Sequence, residues 1–169
     1  MELHGRSVRL RPVSEDDAGA LTAILADPDV ARWWPNYDAA RVDAEIVGEE
    51  ADTTHWVIEV DGRVVGMIQA YEEPEVEFRH AGIDLFLDPA VRGRGLGPDA
   101  IHTVARWLID ERGHHRLTID PAAANQAAIR AYRKVGFRDV GPLRRYQRMA
   151  DGSWADAVLM EMLAEELTR

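Results

Sequence analysis

The sequence predicts a single α/β domain, and three observations support the prediction. Segments with the two-residue alternation of strands and segments with a helical repeat follow one another without internal repeats or a linker. Asp61-Gly62 separates two apolar runs, which is a strong hairpin signal. The 169 residues have the length of one ordinary globular domain, so we assign 1–169 to one unit.

The individual elements are predicted from local patterns. Ser14-Glu15-Asp16-Asp17 has the form of a capping box that opens a helix. A stripe of apolar residues at helical spacing marks the third helix, and Gly113 is placed to end it. Helices are thus predicted over 14–25, 38–51, 98–112 and 125–135. Strands are predicted over 7–13, 55–60, 63–71, 82–87, 116–120, 138–149 and 154–162.

Composition excludes several classes of protein. The chain has no cysteine, which rules out a disulfide scaffold, a thiol nucleophile and a cysteine-ligated metal site. His114-His115 has no third ligand at metal spacing, so we expect an exposed helix end and no metal. The N-terminus lacks the apolar region of a signal peptide, and no apolar run is long enough to cross a bilayer. We therefore expect a cytoplasmic protein with no membrane partner.

The charge is unevenly distributed along the chain. The net charge is -10, and residues 1–80 hold 18 acidic side chains against 7 arginines, whereas the remainder is nearly neutral. Phosphate backbones require a basic face, so nucleic acid is a poor partner. An acidic first half suits a cationic small molecule, although acidic surfaces also serve solubility alone.

A glycine-rich loop follows the predicted strand 82–87. In Arg92-Gly93-Arg94-Gly95-Leu96-Gly97 the glycines allow tight turns, so that successive backbone N–H groups and the following helix can hold an anion. No Gly-Lys-Ser/Thr follows, and Pro98 stands where a dinucleotide fingerprint has its third glycine. A phosphate site and a turn without a ligand both remain open from this loop alone.

A second motif makes a resemblance specific. Asn125, Ala128 and Tyr132 share one helix face, and Gly136-Phe137 follows. Together with the Arg92 loop, this pattern resembles the acyl-CoA-binding core of the GNAT superfamily of N-acyltransferases. Trp33-Trp34 and the sequences around 66–71, 82–87 and 118–121 resemble the aminoglycoside 6'-N-acetyltransferases in particular, with a departure between Tyr71 and Gly82.

The resemblance implies a fold and a cosubstrate. The fold would be a GNAT fold, with a mixed, mostly antiparallel central sheet, a splayed parallel strand pair and about four flanking helices. Acetyl-CoA would be the cosubstrate and no metal would be needed. The residues implied in binding acetyl-CoA are Phe86, Leu87, Arg92, Gly93, Arg94, Gly95, Leu96, Gly97, Asn125, Ala128 and Tyr132.

The resemblance also implies catalytic roles. Acetyl transfer needs an unprotonated amine and a proton for the departing thiolate. Asp84 is the first choice as base, Asp120 shares that role or anchors another ammonium, and Tyr132 resembles the proton donor to sulfur. Structural roles remain open: both aspartates could bond loops, Tyr132 could pack in the core, and Asn125 could be only a helix N-cap.

The implied reaction is direct acetylation of the 6'-amine of an aminoglycoside in a ternary complex, which would confer antibiotic resistance. Trp33 or Trp34 could form a wall for a sugar ring, and Glu72, Glu73, Glu75 and Glu77 could form an acidic wall for ammonium groups. The residues implied in substrate binding are Trp33, Trp34, Tyr71, Glu73, Glu75, Asp84 and Asp120. Alternatives are acetylation of a hydroxamate-siderophore precursor or a protein N-terminus, and non-catalytic binding. Monomer and homodimer both remain open, the latter through pairing of strand 154–162 with another chain.

Overall fold

The computed structural model describes residues 1–48 and 51–168 and contains one central sheet with helices on both faces. The strands are β1 (Leu3–His4), β2 (Arg9–Pro12), β3 (Thr53–Val60), β4 (Arg63–Glu72), β5 (Ala81–Leu87), β6 (Arg116–Ile119), β7 (Arg138–Arg148) and β8 (Trp154–Leu163). The helices are α1 (Ala18–Leu25), α2 (Pro28–Ala31), α3 (Ala39–Val42), α4 (Leu96–Asp110) and α5 (Gln126–Val135).

The strand order across the sheet is β1-β2-β3-β4-β5-β6-β8-β7. Neighbouring strands run antiparallel except β5 and β6, which are parallel and connected through α4. β5 and β6 pair only at Ala81–Leu117 and Gly82–Thr118. The predicted α/β class, the mostly antiparallel sheet and the short parallel pair are confirmed.

The two faces of the sheet bury separate apolar clusters because successive strand residues alternate between faces. On one face, Trp56, Ile68 and Ile83 pack in the cluster that includes the apolar stripe of α4. On the other face, Val57, Met67 and Phe86 pack in the cluster that includes α1 and α2. Asp84 is two residues before Phe86 and so shares this second face.

Several predicted boundaries shift. The helix expected over 38–51 is the short α3 followed by a π-helical segment, Asp43–Val47, and positions 49–50 lie outside the described residues. The prediction missed β1 and α2. Asp27 caps α2 by accepting a hydrogen bond from Asp29 N, and Pro28 is its first residue.

Two further expectations are corrected. The strand 154–162, expected to be available to a second chain, is β8 and lies between β6 and β7. His114 is 2% exposed rather than an exposed helix end, and its Nε2 lies 2.8 Å from Glu72 Oε2. The chain turns inward after Gly113, where φ is +71°, and this conformation delivers His114 to the end of β4. In the described part of the chain, no helix is long and apolar enough to span a bilayer.

Candidate active site

β5 and β6 diverge after their two paired positions, and two depressions in the surface adjoin the place where they diverge. The first has a volume of about 740 Å³, and we call it the aspartate cleft after Asp84 and Asp120, which both line it. The second has a volume of about 580 Å³, and we call it the glycine-loop trough because Gly93 and Gly95 line it. Both are lined in part by Trp33, Trp34, Leu85, Asn125 and Tyr132, so the two depressions adjoin.

Asp84 lies on β5 and is partly buried in the aspartate cleft. Burial raises the pKa of Asp84 to about 7, and the nearby charge of Asp120 contributes to the rise. A hydrogen bond from the side chain of Gln69 acts in the opposite direction. Asp84 is therefore a carboxyl group that exchanges its proton close to neutral pH, which is the property of a general base.

Asp120 directly follows β6 and differs from Asp84 in its surroundings. Burial raises the pKa of Asp120, while a hydrogen bond from Tyr146 favours the ionised form. The Tyr146 hydroxyl donates this bond to Asp120 Oδ2 at 2.8 Å. Burial and the bond to Asp120 raise the pKa of Tyr146 to about 12, so the hydroxyl keeps its proton at neutral pH. Asp120 is thus suited to hold a cation while Asp84 exchanges a proton.

A β-bulge directs Tyr146 toward the cleft. The pairing of β7 with β8 shifts register between Leu143 and Gln147, and Arg145 within the shift has a φ of +49°. Asp156 Oδ1 accepts a hydrogen bond from the backbone N–H of Arg145 at 2.7 Å, which stabilises this conformation. Gln147 Nε2 donates to the carbonyl of Trp33 at 3.0 Å, which ties β7 to the segment after α2. Bulges commonly redirect a side chain beside a functional site in this way.

α5 brings its N-terminal turn and Tyr132 to the boundary of the two depressions. The side chain of Asn125 accepts a hydrogen bond from Ala128 N at 3.2 Å, so Asn125 is the N-cap of α5 as well as a lining residue. Burial raises the pKa of Tyr132, and the charges of Asp84 and Asp120 raise it further. A phenol that keeps its proton beside two carboxyl groups can donate that proton to a developing anion.

The glycine-loop trough has the features of an anion site. Gly93 and Gly95 have φ angles of +76° and +79°, in the left-handed region that favours glycine, and Gly95 is the N-cap of α4. α4 has 15 residues, and its N-terminal N–H groups carry a partial positive charge. Arg92, Arg130 and Lys134 also line the trough. The sequence analysis missed Arg130 and Lys134. Basic residues on a helix do not indicate an anion site unless it is known that the glycine loop faces that helix.

The residues predicted to bind acetyl-CoA are brought together, with one exception. The trough is lined by Phe86, Leu87, Arg92, Gly93, Gly95, Leu96, Gly97, Asn125, Ala128 and Tyr132. Arg94 is not among the lining residues. The loop conformation between the two left-handed glycines leaves Arg94 exposed.

The predicted substrate residues divide into two groups. Trp33, Trp34, Asp84 and Asp120 line the aspartate cleft. Trp34 is also a core anchor, since its ring packs against Phe86 at 5.2 Å and Tyr37 at 5.6 Å between ring centroids. Among the described residues Trp33 makes no such stack with another aromatic ring, although the Arg32 guanidinium lies 4.7 Å from its ring centroid, and Trp33 lines the wall of the cleft.

Tyr71, Glu73 and Glu75 do not join the aspartate cleft. The chain after β4 folds back on itself, with Glu73 N bonded to the carbonyl of His80 and Glu75 N bonded to Glu73 Oε1. Tyr71 donates to Glu73 Oε2 at 3.4 Å. Glu72 lies with Glu73 in a separate depression, and Glu77 is exposed. The acidic wall expected around Asp84 and Asp120 is therefore corrected, because the turn holds these carboxylates at or beyond the C-terminal end of β4 and away from the cleft.

The cleft also contains residues that the sequence analysis did not select. Gln69, Tyr37 and Tyr146 line it beside the two aspartates. The alternation within β4 could have indicated Gln69, since it is a polar residue in an otherwise apolar run. Tyr146 could not have been found, because its position depends on the bulge.

The comparisons with known proteins agree with this geometry. The family model described as "Acetyltransferase (GNAT) domain" matches residues 7–138. The aminoglycoside N(6')-acetyltransferase type 1 of Klebsiella pneumoniae is 27% identical over 152 aligned positions, covering 80% of this chain and 76% of that protein. The spermidine N(1)-acetyltransferase of Escherichia coli K12 is 25% identical over 172 positions, covering 96% and 91%.

A solved structure is similar to this chain in its fold as well. Mycobacterium smegmatis RimJ in complex with CoA-disulfide superimposes with a TM-score of 0.82 and 25% identity. The match covers 100% of this chain and 88% of that one.

Proposed function

This chain belongs to the GNAT family of acetyltransferases, and from that premise we propose that it acetylates the 6'-amine of an aminoglycoside with acetyl-CoA as donor. The observation that carries the proposal is Asp84, a carboxyl group with a pKa of about 7 in a cleft with a second carboxyl group. An alkyl ammonium has a pKa near ~10 and must lose a proton before it can attack. A base that titrates near neutrality is suited to that step.

The glycine-loop trough fits the donor. The N-terminal turn of α4, together with Arg92, is suited to the pyrophosphate. The exposed edge of β5 and the face of α5 are suited to the pantetheine arm, with backbone N–H groups of β5 available to the thioester oxygen. Bound acetyl-CoA supplies the acetyl group as a thioester, and the adjoining clefts allow both substrates to be present for direct transfer.

The proposed chemistry assigns one task to each polar side chain. Asp84 takes a proton from the substrate ammonium, and the freed nitrogen forms the new C–N bond to the acetyl carbon. As the C–S bond breaks, Tyr132 gives its proton to the departing thiolate, and the second proton that the acylated nitrogen loses on becoming an amide returns to Tyr132. Asp120, hydrogen-bonded to Tyr146, holds a second ammonium group of the substrate through a charge-assisted bond.

The shape of the cleft favours a ring-bearing substrate. Four aromatic side chains, Trp33, Trp34, Tyr37 and Tyr146, line the cleft together with the two carboxyl groups. Flat aromatic faces bury the apolar face of a sugar ring, whereas a linear polyamine needs a narrow groove with carboxylates spaced along it. A linear polyamine is the second candidate, favoured by the likeness to the spermidine enzyme over 96% of this chain.

The test is a thiol-release assay with acetyl-CoA and a panel of amines. The panel contains kanamycin, an aminoglycoside that lacks the 6'-amine, spermidine, and a peptide with a free N-terminus. We expect release with kanamycin and none with the analogue lacking the 6'-amine. Release with spermidine alone would replace the substrate with a polyamine, and release with the peptide alone would indicate a protein N-terminus. Calorimetry that detects no acetyl-CoA binding to folded protein would reject the enzyme altogether.

A further inference from the structure

Three polar side chains form a row across the sheet, and two of them, Gln69 and Asp84, line the aspartate cleft. His55 on β3 is directly opposite Gln69 on β4, and Gln69 is directly opposite Asp84 on β5. The three therefore point to the same face of the sheet. Their neighbours on this face toward the other end of the strands, Val57, Met67 and Phe86, are all apolar core residues.

The hydrogen bonds along this row have a fixed direction. An ionised carboxylate can only accept, so Gln69 must present its NH₂ group to Asp84. That leaves Gln69 Oε1 directed at His55, whose Nε2 lies 3.1 Å away. His55 must then donate from Nε2. With the opposite orientation of the amide, an oxygen would face the carboxylate and the bond to Asp84 would be lost.

We propose that Gln69 is a positioning residue that holds the carboxylate of Asp84 through its NH₂ group, and that His55 fixes the orientation of the Gln69 amide. The inference rests on the proposed role of Asp84 as the base. Gln69 acts on the reaction through Asp84, and His55 acts on Asp84 through Gln69. The pair keeps one oxygen of Asp84 occupied, so that the other oxygen is presented to the substrate ammonium.

Other charged or titratable groups face Asp84 or line the same cleft, Arg41 and Arg148 among them, and must be separated from this effect. Asp120 after β6 raises the pKa of Asp84. Tyr37, Tyr132 and Tyr146 lie close enough for the charge of Asp84 to raise their own pKa values. Loss of the Gln69 bond should raise the pKa of Asp84, whereas loss of the Asp120 charge should lower it. The two variants thus move the same titration in opposite directions.

The experiment compares Gln69→Met with Gln126→Met as a matched control. Gln126 is exposed at the start of α5 and is not among the lining residues of either depression. The carboxyl carbon of Asp84 is titrated by ¹³C NMR in the resting protein, and kcat and KM are measured across pH. We expect the Asp84 titration to move to higher pH in Q69M and kcat near neutrality to fall about two- to tenfold, with KM little changed. Q126M should match the wild type.

A double-mutant cycle tests the part played by His55. His55→Phe removes the donor while keeping a ring, and we expect a smaller shift in the same direction. H55F added to Q69M should cause no further shift in the Asp84 titration. An unchanged Asp84 titration in Q69M, or an H55F shift that persists in the Q69M background, would overturn the inference. Full activity of Asp84→Asn would instead reject Asp84 as the base, while the NMR titration of Q69M would still report on the bond.

Discussion

The molecule has two acidic regions, and they differ in what surrounds their carboxylates. In the aspartate cleft, Asp84 and Asp120 receive hydrogen bonds only from neutral partners, Gln69 and Tyr146, among the contacts of the described residues. At the C-terminal end of β4, Glu72 accepts bonds from His114 and from Arg112, at 2.8 and 3.2 Å. Arg41 and Arg148 also line the cleft, but among the contacts of the described residues neither is bonded to Asp84 or Asp120. The first region therefore leaves negative charge for a ligand, whereas the second uses its charge within the fold. An acidic residue indicates a cation site only where the protein has not already supplied the cation.

The largest expected effect comes from removing the base. Asp84→Asn keeps the shape of the cleft but cannot take a proton, so we expect kcat/KM near neutral pH to fall by about 10²- to 10⁴-fold. Steady-state thiol release measures this loss. If D84N keeps more than half of the activity, Asp84 is not the base, and its carboxylate is no more important for activity than those at the C-terminal end of β4.

Removing the second carboxylate of the cleft should affect binding more than chemistry. Asp120→Asn loses a charge-assisted contact to the substrate, and we expect KM to rise by about tenfold or more. Because the charge of Asp120 contributes to the raised pKa of Asp84, the rise of kcat/KM with pH should also move to lower pH. If D120N has the same KM as the wild type, both for substrates with one ammonium group and for substrates with several, the anchoring role is contradicted.

Replacement of Glu72, unlike replacement of Asp84 or Asp120, should reduce stability and leave activity unchanged. Burial acts to raise the pKa of Glu72, but bonds from His114 and Arg112 outweigh it, so the folded-state pKa is lowered. The stabilisation is therefore present above the unfolded pKa near ~4.3 and is lost as pH falls through the folded value. We expect Glu72→Gln to reduce the free energy of unfolding by about 1–2 kcal/mol at neutral pH. Denaturant unfolding at neutral and acidic pH measures this difference, which should shrink in acid.

The smallest effect is expected from the two carboxylates of the turn after β4. Glu73→Gln combined with Glu75→Gln removes two charges that lie outside the aspartate cleft, so KM for the amine should change less than about twofold at physiological salt. Measurement of KM for the wild type and the double variant at low and at high salt checks this prediction. A large, salt-dependent rise in KM would restore the acidic wall expected from the sequence.

The fold class and the residues that line the glycine-loop trough could be predicted from sequence because their signals are local. Gly93, Gly95 and Asn125 are needed where the backbone turns or a helix begins, so the residue types identify the geometry. Tyr146 could not be predicted, since it reaches Asp120 through a register shift between β7 and β8. The error on Glu72 has the same origin: its partner His114 is 42 residues away in sequence, and no local pattern indicates that hydrogen bond.

The pH dependence of kcat/KM in the wild type and in Asp84→Asn tests Asp84 as the base most directly. Measured from about pH 5 to about pH 9, the wild-type value should rise with a midpoint near 7, where Asp84 loses its proton. The residual activity of D84N should lack that rise. A rise with the same midpoint and amplitude in D84N would show that another group removes the proton, and would contradict the assignment.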